Sequence, residues 1–437
     1  MKTIKLAIAI TISFFAVING QEKLKLTVDE AVNLGLQNSK SLHVSQLKVA
    51  VSDAKLKETN AGRWFNIKFI AAYRRLSEVD PFSITMPGIG TFVVSPSILN
   101  NYSTQLTLTQ PLFTGFKILS GIDMAESSAN ATKEEFNKDK NELVYNIKNA
   151  YWNLFKAKTM KKVIDDNVEQ VKAHLNDAKN LMKAGMMTNN DVLKLEVQLS
   201  DILLKQADAG NGVRLSMIGL NNVLSIPLGT EIETASEANL VTAEYQPLNE
   251  LTAKAVELRP ELKAMEERIK MGAANVRMAK SNWYPQVALV ADYIYSRPNT
   301  RIYPTKDEFR GTWDVGLNLS LNIWDWFTTV HQTDQAEASL AQAIDSKQVL
   351  KDGVTLEVTQ SYLSLDVAKQ KIQITRLAVE QATENNRITS EKFKEGMALS
   401  SDVIDAEVAL LAAKTNYTNA IADYELAKAK LEKSVGK

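Results

Sequence analysis

Two distant stretches share one pattern, Lys183-Ala184-Gly185-Met186-Met187-Thr188-Asn189-Asn190-Asp191-Val192 and Lys394-Glu395-Gly396-Met397-Ala398-Leu399-Ser400-Ser401-Asp402-Val403. They lie 394 − 183 = 211 positions apart, and the same offset pairs Tyr151 with Tyr362, Leu154 with Leu365 and Leu106 with Leu317. An offset that holds from the Leu106 pair to the Val192 pair without a gap marks a tandem duplication. Whatever one half folds into, the other must repeat, and each half carries one such tip.

Each half opens on helical spacing, from Glu30 to Ala61 (Ala31, Leu34, Leu42, Leu47, Val51, Ala54) and from Glu250 through Leu262, Ile269 and Val276. After the aromatic pairs Trp64-Phe65 and Trp283-Tyr284 the period changes to two. Val315, Leu317, Leu319, Leu321 and Ile323 alternate with Asp314, Gly316, Asn318, Ser320 and Asn322, which predicts a strand with one apolar and one polar face. Its partner is Val287 to Tyr295; the first half repeats the arrangement with Ile67 to Leu76 and Tyr102 to Phe113. Proline and glycine fill the intervening loops. Aromatic residues gather at the strand ends: Trp64, Phe65, Phe113 and Phe116 in one half, Trp283, Tyr284, Trp324, Trp326 and Phe327 in the other. Such a level suits the lipid-water interface of a transmembrane β-barrel, although a soluble sheet with an apolar rim fits the strands nearly as well. Four strands are too few to close a barrel, so several chains must contribute.

Beyond each hairpin proline is absent. Leu143, Ile147, Ala150, Leu154, Ala157, Ile164, Val168, Val171, Leu175, Ala178 and Met182 recur at steps of four and three, interrupted at Lys161, and Val354, Val358, Leu365, Ala368, Ile372, Val379, Ala382 and Phe393 follow the same register. This is a coiled-coil seam. At about 1.5 Å per residue the first such helix reaches roughly 100 Å before its tip. Glycine after lysine ends it, and Thr188 to Asp191 or Ser400 to Asp402 starts a shorter return helix. The expected division is a signal peptide at 1–20, a first repeat at 21–226 (β-hairpin 64–115, helical hairpin 116–226), a polar linker at 227–249 and a second repeat at 250–437 (β-hairpin 284–326, helical hairpin 327–437).

Lys2 and Lys5, the apolar run Leu6 to Val17, and Ile18-Asn19-Gly20 have the layout of a secretory signal peptide, so the mature chain is expected outside the cytoplasm. The 51 basic and 51 acidic residues balance, giving no reason to expect nucleic acid. The chain has no cysteine, which excludes thiol catalysis, thiolate metal sites and a lipidated anchor. His43, His174 and His331 stand apart in sequence with no metal-ligand spacing, and read as solvated surface side chains. No catalytic residue, metal site or cofactor is expected.

Signal peptide, duplicated strand pairs, long helical hairpins and the tips Gly185/Asp191 and Gly396/Asp402 together resemble the TolC-like outer-membrane efflux protein family, the outer membrane factors, over nearly the whole mature chain. The resemblance implies an α+β membrane protein: a homotrimer in the outer membrane of a Gram-negative bacterium, with a twelve-stranded β-barrel continued by an α-helical periplasmic tunnel. It also implies the exit duct of a tripartite efflux pump, docked through a periplasmic adaptor to an inner-membrane transporter, or the duct of a one-step protein secretion system. On this reading Gly185, Met186, Met187, Thr188, Gly396, Met397, Ala398 and Leu399 form the adaptor-docking tips, and Asp402 and Asp405, sharing a helix face, line the narrowest point. Similar proteins tie the closed mouth through a tyrosine three residues before the second tip glycine and an arginine two after it. Here those positions are Phe393 and Ala398, so closure is expected from apolar packing, with Asp191 as the retained polar partner. A periplasmic coiled-coil tether and a soluble periplasmic adaptor are the rival readings; the polar strand face suits a wet lumen rather than a tether, and an adaptor needs only one helical hairpin and no lipid-facing strands.

Overall fold

In the computed structural model, which describes residues 24–236 and 246–437, the duplication appears as two runs of helix, strands and helical hairpin. The signal-peptide segment 1–20 and part of the linker lie outside the described residues. The first run comprises β1 (Leu24–Leu26), α1 (Val28–Asn38), α2 (Lys40–Ala61), β2 (Asn66–Arg75), β3 (Phe82–Met86), β4 (Gly90–Ser95), β5 (Asn100–Thr114), α3 (Lys117–Lys183) and α4 (Asn189–Val223). The second comprises β6 (Ile232–Thr234), α5 (Leu248–Leu258), α6 (Pro260–Lys280), β7 (Gln286–Arg297), β8 (Arg310–Ser320), α7 (Thr328–Lys394) and α8 (Ser400–Ser434).

Several expectations are corrected. The opening helix of each half is broken, at Ser39 and at Arg259, both extended and both buried. Pro260 forbids helical backbone at Arg259, whose guanidinium bonds Glu357 and Glu261. Ser39 Oγ accepts from the Leu42 amide at 3.2 Å and so caps the second helix rather than continuing the first. The outer loop of the first half holds the hairpin β3–β4, and the linker is not wholly irregular, since β6 pairs in parallel with β1. Strand β8 ends at Ser320, short of Leu321 and Ile323.

Strands β2, β5, β7 and β8 form one antiparallel sheet in that order. Its register sorts the two faces. Phe69, Leu106, Tyr293 and Trp313 lie side by side across all four strands, as do Ile67, Leu108, Ala291 and Val315. Between these rows, on the opposite face, run Lys68, Thr107, Asp292 and Asp314, and Asp292 accepts from Gln105 and Thr107. The apolar face has no cover among the described residues: Phe69, Trp313 and Leu317 are each at least two-thirds exposed, at 67%, 73% and 67%.

Because α2 runs into β2, β5 into α3, α6 into β7 and β8 into α7, the helices below the sheet repeat its lateral order, with α2 packed on α3, α3 on α6 and α6 on α7. Ion pairs cross these seams, among them Arg277–Asp123 at 2.6 Å, Lys347–Glu266 at 2.8 Å and Lys133–Asp53 at 3.3 Å. They are largely exposed and worth under about 1 kcal/mol each, so they set register more than stability. Apolar clusters fix the helices further down, one around Ile147, Tyr151, Leu154 and Leu220, another around Val358, Leu365 and Tyr424. Tyr151 donates to the Leu26 carbonyl and accepts from the Ser236 amide, both at 2.9 Å, tying β1 and the segment after β6 to α3.

Strand turns into helix through a left-handed pair in each half, Gly115-Phe116 (φ 60° and 69°) and Trp326-Phe327 (φ 53° and 63°), again 326 − 115 = 211 apart. Phe116 stacks edge-on between Phe113 and Tyr284, at 5.5 and 5.7 Å, locking the two hairpins together. Glycine is required at 115: a Cβ there would stand 2.5 Å from the Ser281 carbonyl oxygen. Gly115→Ala is expected to cost at least about 1–2 kcal/mol for the left-handed backbone alone and to lower the thermal midpoint of the detergent-solubilised protein in circular dichroism. An unchanged midpoint would contradict this role.

Candidate functional site

Chemistry-bearing clusters are lacking in the sequence, and no group of three or more potential metal ligands occurs among the described residues. The features that set this chain apart lie at the tips. Each long helix closes in the same way: Gly185 (φ 75°) and Gly396 (φ 72°) take the left-handed conformation. Their amides bond Met182 and Phe393 carbonyls at 3.0 Å, and the following amides, Met186 and Met397, reach back to Leu181 and Lys392 at 2.9 and 2.8 Å. This Schellman closure leaves few helix-end carbonyls bare. Thr188 then caps α4, with its hydroxyl donating to Asp191 at 2.6 Å. In the second tip Leu399 replaces threonine, and only the Asp402 half of the capping box survives, accepting the Leu399 amide at 3.0 Å.

The side chains of the tips point in two directions. Met186, Met397 and Leu399 are exposed. Met187 and Ala398 are half-buried and turn inward. They pack with Leu181, Met182, Leu199 and Ile404 around a buried cluster of Leu175, Ala178, Val192, Leu195, Phe393 and Val403. The two hairpins meet there within one chain. Phe393, from the second hairpin, is wholly buried among residues of the first and meets the His174 ring edge-on at 6.1 Å. A polar tie joins the tips, Ser400 Oγ donating to Asp191 Oδ1 at 3.0 Å. Hydrogen bonds from Thr188 and then Ser400 hold the Asp191 carboxyl below the usual range.

Asp402 and Asp405 are both exposed on α8 just beyond this cluster, Asp402 serving also as the helix cap. At the strand ends Trp64, Phe65, Phe116, Trp283, Tyr284, Trp324, Trp326 and Phe327 are exposed, and Phe113 is half-buried against Phe116. Trp324 contacts Trp326 and Phe327 at 5.7 and 5.6 Å.

The histidines divide. His43 and His331 are exposed as expected, but His174 is buried, a correction to its reading as a solvated side chain. Its Nε2 lies 3.4 Å from Oε1 of Glu407, which is wholly buried on α8. Burial pushes the Glu407 carboxyl up to about 7 and pulls the His174 imidazole below its ordinary value. The partner was out of reach of sequence spacing, because it sits in the other half and faces His174 only once the hairpins pack.

Loss of the Phe393 ring should cost the inter-hairpin packing about 3–5 kcal/mol. Phe393→Ala is therefore expected to speed tryptic cleavage after Lys183 and Lys394 in the folded protein; an unchanged rate would show that Phe393 does not hold the tips together.

Comparison with known proteins gives a consistent pattern. The family model described as outer membrane efflux protein matches residues 31–224 and 251–437. The outer membrane protein TolC of Escherichia coli is 23% identical over 77% of this chain and 70% of its own length. The alkaline protease secretion protein AprF of Pseudomonas aeruginosa is 21% identical over 76% of this chain and 69% of its own. The crystal structure of the outer membrane protein VceC from Vibrio cholerae superposes with a TM-score of 0.79 over 94% of this chain and 96% of that one, at 17% identity.

Proposed function

Since the chain belongs to the outer membrane efflux protein family, we propose that three copies close into one exit duct, a twelve-stranded barrel in the outer membrane continued by a helical tunnel into the periplasm. One observation carries this reading: the sheet and the helix layer are open at the same two edges. β2 and β8 are the outer strands. Below them α2 and α7 are the outer helices and keep Val44, Leu47 and Val51, and Ile344 and Val349, exposed. A sheet with an uncovered apolar face and two unpaired edges has no stable form as a single copy in hydrocarbon, whereas head-to-tail addition of further copies satisfies both edges at once. The row Lys68, Thr107, Asp292 and Asp314 then faces a wet lumen. This same row disfavours a tether, which needs no water-filled interior.

The packed tips are the closed periplasmic mouth on this reading, held by Phe393, Ala398 and the Asp191–Ser400 bond in place of a charged lock. Gly185, Met186, Thr188, Gly396, Met397 and Leu399 form the surface that a periplasmic adaptor grips, linking the duct to an inner-membrane transporter. Asp402 and Asp405 from three copies stack as two rings of carboxylates at the constriction and favour cations. The resemblance to a protease secretion protein supports a second reading, the duct of a one-step secretion system, with the same barrel, tunnel and gate.

An unheated gel of outer-membrane fractions is expected to give a heat-labile trimer. Met186→Asp with Met397→Asp should retain that trimer and abolish export of a fluorescent dye from cells; normal export would remove the tips from the docking surface. In planar bilayers under a salt gradient, Asp402→Ala with Asp405→Ala should shift the reversal potential towards zero. An unchanged potential would leave Asp402 as a helix cap only.

A further inference from the structure

The charges of the buried pair His174–Glu407 add nothing to the packing of the His174 ring on Phe393, and an apolar pair would fill its place at lower cost. It lies at the seam between the two hairpins: His174 on α3 and Glu407 on α8, with Ser390 of α7 against His174 and Asn386 buried one turn before Ser390 on the same helix. Its polar atoms are poorly served. Neither Glu407 oxygen makes a hydrogen bond, nor do His174 Nδ1 and Asn386 Oδ1, and Ser390 Oγ stands 3.4 Å from His174 Nε2. Each such group raises the energy of the packed form, and water would relieve all of them if the hairpins separated. The charges felt at His174 are Asp177 on its own helix and Lys394 on α7; at Glu407 burial alone acts.

We propose that His174 and Glu407 are a proton-counting latch between the two helical hairpins, which keeps them packed while the pair holds one proton and releases them when it holds none or two. The proposal deepens the reading of the tips as a gate and rests on it only for the consequence, not for the latch itself. With one proton the buried pair is neutral overall, Glu407 protonated and His174 uncharged. With none it is a buried anion, with two a buried cation, and both are costly away from water.

The direction with pH follows from linkage. The Glu407 value is raised when packed, so its contribution to packing is full below its ordinary 4.5 and is lost as pH rises through about 7. The His174 value is lowered, so its contribution is full above its ordinary 6.5 and is lost as pH falls below it. Below 6.5, for as long as the packed His174 stays uncharged, the two slopes cancel, because packed and parted forms each hold one proton, on Glu407 when packed and on His174 when parted. Above 6.5 the parted form sheds its proton while the packed form keeps one to about 7, which weakens packing about threefold.

The chain's lack of cysteine permits a direct test. Nitroxide labels on Ala184→Cys and Glu395→Cys, diluted with unlabelled chains in the assembled protein, report the tip-to-tip distance by pulsed electron resonance. The packed-to-parted ratio is expected to be level just below pH 6.5 and to fall about threefold by pH 7.5. His174→Gln should turn the flat region into a steep loss, with the packed-to-parted ratio dropping by up to about two orders of magnitude between pH 4.5 and 7. Glu407→Gln should abolish the loss above pH 6.5, and Glu407→Leu gives the same result should the amide disturb folding. Superimposable profiles for all variants would overturn the latch. Bilayer conductance of the same proteins separates the two ideas: tips that part with pH at constant conductance support the latch and sink the gate.

Discussion

A strand edge inside hydrocarbon cannot borrow hydrogen bonds from water, and nearly everything in this molecule answers to that constraint. The sheet of four strands leaves β2 and β8 unpaired on their outer sides, and its apolar face is bare. Twist and curvature do not remedy this in so few strands, since about eight is the least that closes a barrel. Repetition does. The duplication makes β5 and β7 pair across the two halves, so that each half supplies one inner and one outer strand. The proposed joining of copies would extend the same logic from within the chain to between chains.

The helix layer inherits its order from the sheet, because each of the four strands is joined to its helix by a short connection that leaves no room to change neighbours. That is the purpose of the left-handed pairs at Gly115-Phe116 and Trp326-Phe327. The helices are too long and too thinly covered to be a globular core. Their buried residues run in a narrow seam, with Val168, Val171, Val358 and Leu365 inside and the flanking positions wet. Such a wall is stable along its seams and weak across them. Parting of the tips alone therefore breaks the cluster around Phe393 and the polar contacts near it, while Lys148–Glu432 and Lys433–Glu142 still tie α3 to α8 higher up.

Much of this was legible in the sequence because each level carries its own period. Alternation of two marked the strands, steps of three and four marked the seam, and the glycines at 185 and 396 marked the tips, all doubled by the fixed offset. Some signals were present but overridden: Pro260 was sufficient reason to end a helix at Arg259, yet the continuous helical spacing on both sides hid the break. Others had no local signature. The β3–β4 hairpin sits among prolines and glycines that look like loop, and β1 and β6 are three residues each, held in place by Tyr151 and Lys158 of the distant α3. The His174–Glu407 contact depends on two helices meeting face to face, which no spacing along one chain encodes.

Head-to-tail closure is the central claim, and a cysteine-free chain allows it to be read by cross-linking. β2 and β8 lie at opposite edges of one sheet, so cysteines at Lys68 and at successive polar-face positions of β8, Thr312, Asp314, Gly316 and Asn318, cannot bridge within one copy. Oxidation of such double variants in outer-membrane vesicles should give a disulfide ladder of dimer and trimer that stops at trimer for at least one β8 position. The absence of any ladder, or one that continues past trimer, would contradict the account.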